Sequence, residues 1–228
     1  MERTAVLVHG AWHGAWCWSQ VVALLDAPGV RTVAVDLPSV NRPDATLTDD
    51  ADHVRAAIDA IGGPVVLVGH SYGGAVVTDA GAHPAVDHVV YLTAFALDTG
   101  ESILANELKG GEEMELGQLV EYDGDVMRLD LTRAIPYFFH DCTEAVAADA
   151  VARLRDHSIV SFGGAPRAIA WREKPSTYVV CTDDQGLPEA LQRSAAARCE
   201  RVIDWPTSHS PFLSRPDLVA DLVRKLCE

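Results

Sequence analysis

Six short apolar runs constrain this chain more than any other feature, because several of them do not alternate with polar residues. They read TAVLV (4–8), RTVAVDL (31–37), PVVLVG (64–69), HVVYLTAF (88–95), STYVVC (176–181) and RVIDW (201–205). A strand with one wet face alternates apolar and polar side chains, whereas a continuous Val/Ile/Leu/Tyr run belongs to a strand covered on both faces, as in a parallel sheet. Helical patterns lie between the runs. WCWSQVVALLDA (16–27) places Val21, Leu24 and Leu25 at helical spacing and stops before Pro28-Gly29. TDDADHVRAAIDAIGG (48–63) has acids in its first turn, favourable against the helix dipole, and ends in glycine. LPEALQRSAAARC (187–199) and PDLVADLVRKLC (216–227) follow the last two strands, and in the latter Ser214 stands as the expected cap with Pro216 in the first turn. Strand-helix alternation of this kind predicts right-handed βαβ units and an α/β fold: a mostly parallel sheet of about six strands with helices on both faces.

The alternation stops between residues 98 and 174. A polar, Gly-rich stretch (TGESILANELKGGEEMELGQLVEYDGD) gives way to the helical pattern of IPYFFHDCTEAVAADAVARLRDH. The segment is too long for an ordinary connection. The expected organisation is a core formed by 1–97 and 175–228, with 98–174 inserted as a mainly helical cap over the sheet's C-terminal edge. A chain of 228 residues, 48% of them apolar, suits one such domain with a sizeable core.

The formal charge of -15 argues against nucleic acid or an anionic membrane surface as the natural partner. No apolar stretch approaches the roughly 20 residues of a membrane span. The opening MERTAVLVHG lacks the apolar segment of a signal peptide. Five scattered cysteines (Cys17, Cys142, Cys181, Cys199, Cys227) form no CxxC pair, which fits free thiols in a reducing cytoplasm. No metal-ligand spacing such as HExxH occurs.

The chemistry begins in VVLVGHSYGGAVVTDAG. Gly69-His70-Ser71-Tyr72-Gly73 is a G-x-S-x-G pattern with an apolar strand before it and a helical pattern after it. A sharp strand-to-helix turn needs small residues around the serine and exposes its hydroxyl above the sheet. The plainer alternative is a glycine-rich turn with an idle serine. Gly74 extends the small surface and suits close helix-strand packing. A serine hydroxyl needs a base and an orienting acid to act at neutral pH. Of the nine histidines, His209 lies in the loop after the last strand, at the same edge of the sheet as Ser71. His140 and His157 fall in the expected cap, and His53, His83 and His88 fall on or beside surface elements. The acid should leave the preceding strand, where YVVCTDDQGLP offers both Asp183 and Asp184. The order Ser, Asp, His is that of a nucleophile-elbow hydrolase.

Attack by serine creates an oxyanion that needs preorganised donors. One is the Tyr72 N–H at the helix start. The second must come from a neighbouring loop, and HGAWHGAWCW (9–18) supplies it: Gly10 lets the backbone bend and the Ala11 N–H face the serine. Trp18 and Trp16 are then core residues. Trp12 and His13 are candidate pocket walls, as are Phe138 and Phe139 from the cap; with Tyr72 they suggest an apolar pocket, the competing reading being ordinary cap packing.

Taken together, VHGAWHGAWCW, GHSYGG, CTDDQGLP and the final histidine loop resemble the α/β-hydrolase branch of plant methyl esterases and hydroxynitrile lyases and their bacterial relatives. The resemblance runs nearly end to end and is weakest in the cap. It implies a six-stranded core, a mostly helical cap, no cofactor and, often, a homodimer. The related esterase pattern CTEDxGIP, whose second acid belongs to the triad, picks Asp184 over Asp183. The resemblance also supports Ala11 and Tyr72 as oxyanion donors. The cyanogenic lyases of the branch carry Thr at the position of Gly10, an acid at that of His70 and Lys at that of Ser210, and this chain departs from them at all three. The expected function is a serine carboxylesterase acting on small to medium uncharged esters, with Ser71 as nucleophile, His209 as base and Asp184 as its orienter. The rivals are C–C or C–N cleavage, lactone opening or lyase chemistry by the same residues, and a non-catalytic ligand-binding protein.

Overall fold

A parallel sheet of six strands forms the centre of the molecule. The computed structural model describes residues 2–27, 29–105 and 115–228. The strands are β1 (Thr4–Val8), β2 (Thr32–Val35), β3 (Val65–Ser71), β4 (Val86–Ala94), β8 (Ser176–Cys181) and β9 (Arg201–Trp205). Their order across the sheet is β2-β1-β3-β4-β8-β9, and all five neighbouring pairs are parallel. The uninterrupted apolar runs are explained by burial on both faces: β1 and β8 are buried at every residue. The edge strands β2 and β9 are only partly buried, because each has a sheet neighbour on one side alone. β2 stops short of the expected 31–37. Asp36 turns to Arg155, and the Leu37 N–H donates to His9 Nε2 at 3.0 Å instead of to a sheet partner.

Three helices shape the first half of the sheet: α1 (Ser19–Asp26), α2 (Leu47–Ile61) and α3 (Tyr72–Ala80). The expected helix over 16–27 divides, with Ala15–Trp18 wound as a 3₁₀ turn ahead of α1. Helix α2 starts with a reciprocal capping box between Thr46 and Asp49 and ends at Gly62 with φ 68°, a left-handed conformation that glycine adopts without a Cβ clash. The last helix, Pro216–Cys227, has its expected bounds. Its N-cap is Arg215, without a side-chain hydrogen bond, and Ser214 instead closes a preceding short helix, Pro211–Ser214.

The chain between β4 and β8 carries short helices at Ala134–Phe138, Glu144–Ala152, Ile159–Phe162 and Ala170–Glu173. It adds a small antiparallel sheet of β5 (Val120–Asp123), β6 (Val126–Leu129) and β7 (His157–Ser158), which the sequence reading did not anticipate. The stretch 106–114 of the expected cap lies outside the described residues. Arg167 ties this segment to the core by hydrogen bonds to buried Asp79 and to Asp52.

The elbow between β3 and α3 is packed against β1 with no spare volume. A Cβ on Gly73 would lie 2.5 Å from the His9 carbonyl oxygen and 2.8 Å from that of Val8. On Gly74 it would meet the Ala94 Cβ at 2.6 Å. Helix α3 therefore sits on β1 and β4 at distances only glycine allows. Gly73→Ala is expected to lower unfolding stability by about 1–3 kcal/mol, because backbone rather than a flexible side chain must move. Gly63→Ala, where nothing lies within 4 Å, should stay within about 0.5 kcal/mol. Urea midpoints of the two variants, measured together, check this; equal midpoints would show that α3 shifts freely.

Candidate active site

Ser71 is held at φ 52°, ψ -122°, the last residue of β3 and the N-cap of α3. Such a conformation in a non-glycine residue persists only where the surroundings enforce it. A Cβ on Gly69 would meet the Gly73 carbonyl oxygen at 2.5 Å, so the turn closes tightly on both sides of the serine. Tyr72 opens α3, and its N–H is therefore among those with no acceptor inside the helix. The loop after β1 lies directly on the serine: a Cβ on Gly10 would be 2.8 Å from the Ser71 Cβ and 2.8 Å from His70 Nδ1.

The repeated HGAW of that loop has a structural logic. Leu37 N–H donates to His9 Nε2, so the His9 proton sits on Nδ1 and donates to the Gly10 carbonyl at 2.8 Å. His13 Nδ1 donates to the Ala11 carbonyl, also at 2.8 Å. Among the described residues no peptide bond is cis. In a trans peptide the C=O and N–H point in opposite directions. Fixing the Gly10 carbonyl thus fixes the direction of the Ala11 N–H. Trp12 follows at φ 60°. Its carbonyl accepts the Arg155 N–H at 2.8 Å, and its indole N–H donates to the Met127 carbonyl at 3.2 Å. Arg155 also pairs with Asp36 and donates to the His13 carbonyl.

His209 and Asp184 meet at 2.7 Å, Nδ1 to Oδ2, and both are buried. Asp184 is surrounded by donors: Gly186 N–H at 2.7 Å and Leu187 N–H at 2.9 Å on Oδ1, Thr93 Oγ1 at 2.5 Å and Gln192 Nε2 at 3.4 Å on Oδ2. With acceptors only on the carboxylate, the His209 proton is on Nδ1 and Nε2 is free to accept. Asp183 is exposed, and its carbonyl accepts from His140 Nε2. Of the two candidate acids, Asp184 alone bonds the histidine. Thr93 and Gln192 escaped the sequence reading, since each reaches Asp184 only through tertiary contact; the polar residue in the apolar run HVVYLTAF was the one visible sign of Thr93.

The aromatic candidates gather around the histidines. Phe138 lies 5.4 Å from the His209 ring and 6.2 Å from Trp12. His13 stacks on Trp16 and meets His70, Phe138 and Phe139 edge-on. Tyr72 is fully buried, stacked on Phe162, and donates to Asp50 Oδ2 at 2.6 Å. Its side chain is core, and only its N–H belongs to the elbow. Trp18 is core as expected, whereas Trp16 is half-buried beneath Arg153. His70 donates from Nε2 to the His209 carbonyl at 2.8 Å and so anchors the histidine loop. Among the described residues, no group of three or more His, Cys, Asp and Glu is arranged to hold a metal ion.

The fold and this site define a nucleophile-elbow hydrolase. The family model described as the alpha/beta hydrolase family matches residues 5–222. The chain is 31% identical to the alpha/beta hydrolase nvfD of Aspergillus novofumigatus, over 98% of this chain and 96% of that protein. It is 29% identical to methylesterase 8 of Arabidopsis thaliana, over 97% and 88%. A crystal structure of a pyrethroid hydrolase from Sphingobium faniae superposes with a TM-score of 0.87 at 26% identity, covering 99% and 97% of the two chains. This chain belongs to the alpha/beta hydrolase family.

Burial holds the loop histidines neutral. Desolvation lowers His9 to about 4 and His13 to about 3, against a normal value of 6.5, and outweighs the backbone hydrogen bonds that oppose it. Desolvation also holds His70 and His157 well below 6.5. The unfolded chain releases these rings to bind protons. Their stabilising contribution is therefore complete above about pH 6.5 and is lost as pH falls towards the depressed values. Unfolding free energy should drop from pH 7 to pH 5 with a slope of about 1.4 kcal/mol per pH unit for each such histidine once its unfolded form is protonated. His157→Gln should reduce the slope by about one histidine's share. Urea unfolding at several pH values measures it, and a slope unchanged by the substitution would contradict the burial argument.

Proposed function

We propose that this protein is a serine carboxylesterase that cleaves small to medium uncharged esters through an acyl-enzyme on Ser71. The observation that carries the reading is the 2.7 Å bond between His209 and Asp184 at the sheet edge where the strained Ser71 turn stands. His209 Nε2 takes the Ser71 proton as Oγ attacks the ester carbonyl, and the Ala11 and Tyr72 N–H groups receive the oxyanion. The proton passes to the leaving alkoxide. Water, deprotonated by the same imidazole, then releases the acid. Asp184 keeps the ring in the reactive tautomer and stabilises the imidazolium.

Segment 98–174 acts as the cap, and Trp12, His13, Phe138 and Phe139 form the apolar wall. Relatives named as methylesterases of Arabidopsis thaliana and a pyrethroid hydrolase of Sphingobium wenxiniae support an ester substrate. The lack of a side chain at Gly10 favours hydrolysis over cyanohydrin cleavage: the position is tight, and a Cβ there would press on Ser71 and His70. Ser210 brings no positive charge beside His209. The strongly negative chain suits a neutral small molecule rather than nucleic acid or an anionic membrane, and no helix among the described residues is long and apolar enough to cross a membrane. A cytoplasmic location fits its five free thiols. A homodimer is the assembly that the resemblance suggests.

Side-by-side assays on p-nitrophenyl acetate and mandelonitrile test the reaction type. Ester hydrolysis with an acyl-enzyme burst, and little or no mandelonitrile cleavage, is expected. Faster cleavage of mandelonitrile without a burst would overturn the reading. Ser71→Ala should remove turnover by several orders of magnitude and abolish fluorophosphonate labelling, while the fold survives. A folded variant keeping more than about a tenth of the activity would remove Ser71 from the mechanism.

The two adjacent acids give an internal comparison. Asp184→Asn should lower kcat by about 10³- to 10⁴-fold, since an amide favours the wrong imidazole tautomer. Asp183→Asn, at an exposed side chain, should leave kcat nearly unchanged. The reverse order of damage would transfer the role to Asp183.

A further inference from the structure

Thr93 combines three features that ordinary packing does not require. It is a β-branched residue at φ 40°, fully buried inside β4. β-branched residues in this region are genuine outliers. The ladder between β3 and β4 slips here: His70 pairs with Leu92 and Ser71 with Ala94, so Thr93 is passed over. Irregularities of this kind re-aim a side chain and occur beside active sites. The hydroxyl so aimed donates to Asp184 Oδ2 at 2.5 Å, the same oxygen that accepts the His209 Nδ1 proton.

The neighbouring backbone is locked around this kink. The Tyr178 hydroxyl accepts the Ala94 N–H at 2.9 Å and donates to the Ala94 carbonyl at 2.7 Å. The Phe95 N–H donates to the Ser71 carbonyl at 3.2 Å. The same few residues of β4 therefore grip the nucleophile's peptide and present a donor to the acid. Backbone strain confined to such a point indicates a functional demand rather than a folding preference.

We propose that Thr93 is a positioning residue for the catalytic acid: its hydroxyl fixes the Asp184 carboxylate so that Oδ2 faces His209. Gly186 and Leu187 N–H hold Oδ1 and set the other end of the group. Without the Thr93 hydroxyl, Oδ2 is left to His209 and to the long Gln192 contact, and the carboxylate can rotate about its Oδ1 anchor. The proposal rests on the roles assigned above to Ser71, His209 and Asp184.

Thr93→Val keeps the shape and removes the donor; Thr93→Ser keeps the donor and removes the methyl. On p-nitrophenyl acetate, Thr93→Val should lower kcat by about 10- to 100-fold, the scale of a lost hydrogen bond to a charged group, with KM within about twofold. Thr93→Ser should recover kcat to within about threefold of the unmodified protein. The downfield proton resonance of the His209–Asp184 bond should move in Thr93→Val and return in Thr93→Ser. If the valine variant does not fold, Thr93→Ala against Thr93→Ser makes the same comparison. Equal loss in the valine and serine variants, or unchanged kcat in both, would overturn the proposal. Asp184→Asn in the unmodified background separates the two levels. Full activity there would remove the underlying reading, whereas an inactive Asp184→Asn beside a fully active Thr93→Val would remove the Thr93 proposal alone.

Discussion

Everything at this site depends on one backbone constraint: a serine kept at positive φ where β3 turns into α3. That turn survives because its neighbours have no room for another arrangement. Gly69, Gly73 and Gly10 each stand where a Cβ would lie within 3 Å of backbone or of the serine itself. The sheet supplies the opposing force, since β3 is flanked on both sides by parallel strands, β1 buried throughout and β4 buried from Val89 to Ala94. Close packing here converts the hydrophobic stabilisation of the core into a local conformation that an isolated peptide would not adopt.

Polar groups inside this region do mechanical work through direction rather than charge. His9 and His13 are neutral rings that hold successive carbonyls of the loop after β1, and His70 holds the carbonyl of His209. Desolvation keeps them neutral, so each presents one N–H and makes a directed bond. A protonated ring at such a position would place a charge in the core. The Asp184 carboxylate is the opposite case, with donors on both oxygens.

The strands and the elbow were legible in the sequence because their signals are local. A run of buried residues shows its own burial, and an elbow shows its own glycines. Asp184 and Asp183 could not be separated by local chemistry, since both follow β8 and both suit a turn; a family pattern separated them. Thr93 and Gln192 were illegible because their meaning arises from a ladder slip and from contacts across the fold. The β5–β7 sheet was missed for a related reason. Its strands are two to four residues long, and such short strands carry too little periodicity to read. Ser214 failed as a cap because a proline-initiated turn claimed the residues before the last helix.

The strained Trp12 has a consequence for the order in which the molecule assembles. Its left-handed backbone is held by the Met127 carbonyl, 115 residues further along the chain, and by the backbone of Arg155. The loop after β1 thus depends for its final shape on residues far along the chain. Contacts that close such long stretches of chain form late, because loop-closure entropy must be overcome first. The sheet can be complete while the loop beside Ser71 is still unset, and its final shape waits on Met127 and Arg155 from the segment between β4 and β8.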